Sequence, residues 1–299
     1  MPLNLNSLRL FEVVARTGNV TRAAEVARVS QPAISKAIRE LEHGLGVTLL
    51  ERGARGVRLT DAGIALATHA RVLFGVARTA EEEMGAFRGL GRGTLRVGAS
   101  TTVATYYLPA VLAEFARRHP GIEVRLTSAN TADIVSRLVA YELDVALVEG
   151  PVADDRLAVE PWREDELVLI APRTHRLAGR RTSWREVRRE VLLVREPGSG
   201  TRDVVAQALA AAGLAPDRTM ELGSTEAIKQ AVAAGLGLAF VSRAAATDQL
   251  AVGAIATVSV RGLHLSRILT RLTLRGRAAS AAAAAFGQVL DGSRRQHRQ

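Results

Sequence analysis

One stretch constrains this chain more than any other. Residues 61–88 are periodic throughout and contain no proline. Apolar residues recur every seven positions at Ala70, Ala77 and Met84, interleaved with Leu66, Leu73, Ala80 and Phe87. That spacing predicts one long helix with an a/d seam over about three heptads, as a two-helix coiled coil requires. Leu66, Leu73, Ala77, Met84 and Phe87 are then the dimerisation residues, and Thr60 is the candidate N-cap. The alternative is an amphipathic helix lying on its own domain. Gly89–Gly93 breaks the pattern as a hinge. The long helix thus parts a segment 1–60 from a segment 94–299.

The first segment reads as short helices joined by sharp turns. Leu8, Phe11, Val14 and Ala15 recur at helical spacing, and Gly18-Asn19 ends that helix. A second helix is expected from Thr21 as N-cap, with Ala23, Ala24 and Ala27 permitting close packing. Arg28-Val29-Ser30 forms a tight turn into a third helix, capped by Ser30 with Pro32 in its first turn, where a missing N–H costs little. A helix, a turn and a helix make the helix-turn-helix plan. At about 100° per residue, Ile34, Ala37, Ile38 and Leu41 share one face of the third helix. Pro32, Ser35, Lys36 and Arg39 share the other, with Gln31 at the start. Such donors can read purine edges and hold phosphates in a major groove. Arg52, Arg55 and Arg58 with Gly53 and Gly56 signal a basic hairpin, read as a wing. A solvated basic face on a small helical bundle is the plainer alternative.

Composition adds weight to a polyanionic partner. Net charge is +10, and residues 1–60 hold nine arginines or lysines against five acids. Only two of the 40 basic residues are lysines, so overall basicity alone is weak evidence. Zero cysteines exclude disulfide scaffolds, thiol catalysis and Cys-ligated metal sites. No apolar run reaches the roughly 18 residues of a membrane helix. No basic segment followed by an apolar stretch opens the chain, so the expectation is a cytoplasmic protein with no membrane partner.

From Thr94 onward strands alternate with helices: strands at Thr94–Ser100, Ile122–Ser128 and Asp144–Val148, helices at Thr105–Arg118 and Ala132–Tyr141. A second round has strands at Leu167–Ala171, Val191–Arg195, Thr219–Leu222 and Leu238–Val241, with helices at Thr201–Ala212 and Glu226–Ala234. Arg267–Leu274 reads as a strand, and Ala278–Leu290 as a helix ending at Gly292. The fold class is α/β: two lobes following a mainly helical N-terminal domain. Ligands of parallel sheets bind beyond the strand carboxyl ends. Here those ends carry Ser100, Thr101 and Thr102, then Ser128–Thr131, Glu149, and Ser199, Gly200 and Thr201. Hydroxyls at helix N-termini suit a carboxylate or inorganic oxyanion, although ordinary N-capping prefers the same residues. Glu149 opposes a bare oxyanion unless one partner carries a proton.

The run from Ser7-Leu8-Arg9-Leu10-Phe11 through Ala23-Ala24, Ser30-Gln31-Pro32-Ala33-Ile34-Ser35-Lys36, Leu41-Glu42, Leu49-Leu50-Glu51-Arg52 and Leu59-Thr60-Asp61-Ala62-Gly63 resembles the winged helix-turn-helix of LysR-type transcriptional regulators, and the likeness continues along the whole chain. Lys36 departs from the commoner arginine and lacks its bidentate fork. Leu50 replaces a commoner phenylalanine. The resemblance implies a dimer or tetramer on double-stranded promoter DNA, with RNA polymerase as a further partner. It also implies a periplasmic-binding-protein-like effector domain, with lobe I at about 94–162 and 267–299 and lobe II at 163–266. A small molecule would sit among Ser100, Thr101, Thr102, Glu149, Ser199, Gly200 and Thr201. Val-Glu-Gly-Pro and Pro-Gly-Ser-Gly-Thr-Arg are similar to loops of members that govern sulfur assimilation or carbon fixation, hinting at sulfite, sulfate or a phosphorylated metabolite. No cofactor is implied. An enzyme is the rival reading, but neither lysine follows a glycine as a phosphate loop needs, and the six histidines are scattered. A transport receptor fits the lobes but not the basic N-terminal segment.

Overall fold

The computed structural model describes residues 3–53, 56–86 and 93–296. They form two units, one reaching to Met84 and including Ala140–Glu142, the other holding the remainder.

The first unit is built by its caps. Helix α1 (Leu5–Thr17) starts where Asn4 accepts the N–H groups of Asn6 and Ser7, and ends at Gly18 in the left-handed region. Helix α2 (Val20–Ala27) is capped by Asn19, whose side chain accepts the Thr21 and Arg22 N–H groups at 2.8 and 3.1 Å. This corrects the expected cap at Thr21: the amide oxygen two residues earlier reaches those donors first. Helix α3 (Gln31–Leu45) begins at Ser30, with Pro32 in its first turn. Strands β1 (Leu50–Gly53) and β2 (Gly56–Leu59) form the antiparallel hairpin read as a wing. Glu42 anchors it by accepting the Leu49 and Leu50 N–H groups at 2.7 and 3.2 Å.

Helix α4 (Asp61–Ala86) is capped by Thr60, which accepts the Gly63 N–H at 3.0 Å. Its first half does not present the heptad seam outward. Ala67 and Ala70 are fully buried among Leu8, Phe11, Ile34 and Ile38, and Leu66 packs beside them. Alanine is small enough to serve either a seam or a core, and here the domain's own core takes Ala70. Leu73, Val76, Ala80 and Met84 remain exposed and Ala77 is half-buried; Phe87 lies outside the described residues.

The second unit has two hydrophobic cores on a shared sheet. Its first lobe holds β3 (Gly93–Ser100), α5 (Leu108–Arg118), β4 (Ile122–Ala129), α6 (Thr131–Val139) and β5 (Val145–Val148). β3 pairs in parallel with β4 and β5. The helix expected from Thr105 opens instead with a π-helical turn at Val103–Tyr107. Pro109 cannot donate an N–H to continue an α-helical ladder through it, so the chain widens one turn before α5.

Strand β6 (Leu157–Pro172) is far longer than the expected Leu167–Ala171 and spans both lobes. The second lobe continues with β7 (Arg181–Thr182), α7 (Trp184–Val187), β8 (Val191–Val194), α8 (Gly200–Ala211), β9 (Arg218–Glu221), α9 (Thr225–Ala233), β10 (Leu238–Ser242), α10 (Arg243–Ala251) and β11 (Ile255–Val260). Strand β12 (Leu265–Leu274) then runs antiparallel to β6 along its length and pairs with β5, returning the chain to the first lobe. Helix α11 (Ala281–Gln296) closes the first core, where Phe286 meets Phe115 edge-on at 5.4 Å. Ser280 caps α11 in place of the expected start at Ala278, and the helix runs through Gly292, whose neighbourhood is open.

Phe286 is fully buried, so Phe286→Ala should cost about 3–5 kcal/mol. Chemical denaturation of the full chain should show the loss as a lower midpoint with an unchanged slope.

Candidate nucleic-acid interface and interlobe site

The polar side of α3 is solvent-facing. Gln31, Pro32, Lys36 and Arg39 are exposed and Ser35 is half-buried, while Ile34, Ile38 and Leu41 are in the core. Ser30 spends its hydroxyl on the Ala33 N–H at 3.4 Å, so it positions the helix start. Lys36 lies 3.8 Å from Glu40 one turn on, an exposed pair that water screens. Arg58 is exposed on β2, directly across from Glu51. Arg52 pairs its backbone with Val57; Arg55 falls outside the described residues. The face offers amide, hydroxyl, ammonium and guanidinium groups and carries Glu40 as its acid.

Between the lobes the expected residues converge on Glu149, which follows β5 and is 2% exposed. Ser100, after β3, donates its hydroxyl to the Glu149 carboxylate. Thr102 bonds the same group, and Thr201 lies 3.5 Å away. The sequence had suggested hydroxyls free for a ligand; instead Ser100, Thr102 and Thr201 are spent on an internal carboxylate. Thr101 is half-buried and points to the Ala129 carbonyl at 3.4 Å. Burial pushes the Glu149 carboxyl above its ordinary value, and Arg267 and Arg195 only partly offset this.

Backbone meets backbone here. A Cβ on Gly200 would lie 1.9 Å from the Glu149 carbonyl, and one on Gly150 would lie 2.7 Å from Gly200 Cα. The Ala132 N–H donates to Gly198 across the same seam at 3.2 Å, and Thr131 donates to the Glu149 carbonyl at 2.9 Å. Only glycines allow this approach.

Two central residues escaped the sequence reading. Arg267 and Asp165 stand opposite each other in the β12–β6 register. Arg267 donates to Asp165 from Nε at 2.7 Å and to Thr201 from Nη1 at 2.8 Å, and lies 3.9 Å from Glu149. Asp165 also accepts from Tyr107 and Ser242, each at 2.6 Å. Burial first, then the bond to Asp165, raises the Tyr107 phenol above its usual range. Arg195, at the end of β8, is buried and holds Glu196 at 2.7 Å and Thr225 at 2.7 Å. Such long-range pairings leave no local spacing to read.

Two buried donors lack hydrogen bonds. The Ser199 hydroxyl precedes α8 without capping it, and Arg267 Nη2 lies 2.7 Å from Asp165 outside hydrogen-bonding geometry. Both belong to the network around Glu149.

Comparison with known proteins decides the family. Residues 5–64 match the model of the bacterial regulatory helix-turn-helix protein, lysR family, and residues 88–294 match that of the LysR substrate binding domain. The chain belongs to the LysR family of transcriptional regulators. These are regulators, not enzymes. A RuBisCO operon transcriptional regulator of Allochromatium vinosum is 36% identical over 299 residues, covering 99% of each chain. Full-length CbnR complexed with its target DNA is 25% identical, with a TM-score of 0.69 over 97% of this chain and 99% of that one. The regulatory domain of Synechocystis PCC6803 CcmR, in complex with 2-PG, is 32% identical, with a TM-score of 0.63 over 68% of this chain and 97% of that one. Among the described residues no helix is long and apolar enough to cross a membrane.

A LysR effector site should hold its orphan donors for a ligand, and this makes two variants diverge. Ser199→Ala removes an unpaired buried hydroxyl and should leave stability within about 0.5 kcal/mol or raise it. Gly200→Ala forces a Cβ into the Glu149 carbonyl and should cost more than about 2 kcal/mol. Thermal unfolding of the two variants side by side measures the contrast.

Proposed function

We propose that this LysR regulator is a ligand-gated, two-fold DNA-binding oligomer: paired α3 helices enter successive major grooves, and a small anion or carboxylate between the effector lobes sets their spacing. The observation that carries the DNA half is the outward face of α3, where Gln31, Lys36 and Arg39 stand exposed over a buried apolar face. Gln31 and Ser35 suit base edges; Lys36, Arg39 and the wing arginines Arg52, Arg55 and Arg58 suit phosphates. The relative solved on its target DNA supports that placement. A two-fold dimer presents its recognition helices to a pseudo-palindromic site.

The exposed half of α4 supports self-association through Leu73, Ala77 and Met84, continuing toward Phe87. Strands β4 and β9, which end the sheet at its two edges, offer a further pairing surface by which dimers become tetramers. The effector reading rests on Ser100, Thr101, Thr102, Glu149, Ser199, Gly200 and Thr201, now with Arg267 added. Ser199 and Arg267 retain donors, and the first turn of α8 adds N–H groups with no intrahelical partner. The relative holding 2-PG supports a small-molecule effector, and the relative named for the RuBisCO operon makes carbon-fixation promoters the first targets to test. Closure or rotation of the lobes changes the separation of the paired winged helices, and with it the bend in promoter DNA and its presentation to RNA polymerase.

A gel shift with the DNA upstream of the chain's own gene should show specific binding that weakens as salt rises. Arg39→Ala should reduce the salt slope by about one, as loss of a single phosphate contact does. Specific binding with an unchanged slope in that variant contradicts its assigned role. Leu73→Asp should halve the mass seen by light scattering and lower operator affinity; an unchanged mass removes the α4 dimer.

A further inference from the structure

Two buried carboxylates share one buried guanidinium in this cleft. Arg267 sits between Asp165 at 2.7 Å and Glu149 at 3.9 Å. Arg195, the other cation near Glu149, is already matched by Glu196. The groups facing Glu149 are Ser100 and Thr102 after β3, Asp165 of β6, Arg195 at the end of β8, Thr201 of α8 and Arg267 of β12. With every acid ionised, these charges leave one negative charge in excess. An incoming anion with no proton would meet ionised Glu149 at close range in a site that excludes water, and like charges there repel strongly. An anion that brings its own proton can donate that hydrogen bond to Glu149. Its remaining oxygens can then accept from the Ser199 hydroxyl and Arg267 Nη2, the two buried donors with no hydrogen bond.

We infer that Glu149 sets which anions the cleft admits: it favours a tetrahedral oxyanion that carries a proton, inorganic phosphate being the simplest, and rejects sulfate. This rests on the reading of the cleft as the effector site. The chemistry is that of a fixed acceptor, because a carboxylate rewards a ligand O–H and penalises a ligand oxygen that has none. Burial raises the Glu149 carboxyl, so acid conditions let Glu149 hold the proton itself. A protonated Glu149 becomes a donor to sulfate. Sulfate exclusion is therefore strongest at alkaline pH and fades as pH falls through the raised value of Glu149. Glutamine keeps the shape, removes the charge and supplies a permanent N–H donor.

The test is titration calorimetry of the full chain with inorganic phosphate and with sulfate, at about pH 6 and about pH 8.5, for the unaltered protein and Glu149→Gln. Phosphate keeps at least one proton across this range and sulfate keeps none. The expected result is phosphate binding tighter than sulfate by at least about 100-fold at the higher pH. The gap should shrink at the lower pH and be lost in Glu149→Gln at both. Comparable phosphate and sulfate affinities in the unaltered protein at the higher pH overturn the assignment without any variant. Persistence of the gap in a folded Glu149→Gln, checked by its melting temperature, overturns it too. Binding of neither anion by either form strikes instead at the oxyanion reading of the cleft, and the inference falls with it.

Discussion

The antiparallel pairing of β6 with β12 is the constraint on which the effector domain depends. These two strands pass through both lobes, and their register sets Asp165 opposite Arg267. Each charge alone would be expensive to bury. Together, with Tyr107, Ser242 and Thr201 satisfying remaining atoms, they form a closed network. Glu149 reaches this network from the first lobe and Thr201 from the second. Any shift of one lobe against the other must therefore disturb buried hydrogen bonds, which makes the seam well suited to discrete rather than graded rearrangement.

A register irregularity between Leu269 and Thr270 lies where the strands leave one lobe for the other. Such irregularities re-aim side chains and increase local twist. The Gly150–Gly200 approach sits on the same seam, so backbone shape and side-chain charge act at one place. In the N-terminal unit the equivalent anchor is Glu42, which fixes the start of the wing to α3 through two backbone N–H groups. A family pattern of Leu-Glu at the end of the recognition helix thereby gains a physical role: it sets where the basic hairpin stands relative to the reading face.

Much of this was legible in the sequence where the cause is local. The ends of α1 and α3 follow from Asn4, Gly18, Ser30 and Pro32, and the wing from two glycines among arginines. Thr21 was misread because Asn19, an equally good cap, stands two residues earlier. Ala70 could not be assigned by periodicity, since alanine fits a coiled-coil seam and a tight core alike. Strand β11 and helix α10 went unseen: one is short, and the other has little amphipathic pattern. Asp165 and Arg267, 102 residues apart, meet only through sheet register. Ser100, Thr102 and Thr201 were rightly grouped with Glu149, but the direction of their hydroxyls depends on which charge they surround.

The central claim is that α3 acts by lying in a DNA groove. Because the chain has no cysteine, Ser35→Cys creates a single attachment point for an iron chelate that cleaves nearby DNA. Bound to its own upstream promoter, the labelled protein should cut at two sites about one helical turn, or a whole number of turns, apart. Cleavage spread evenly along the duplex, or none while the same chelate attached through Ser183→Cys on the effector domain does cut, would contradict the claim.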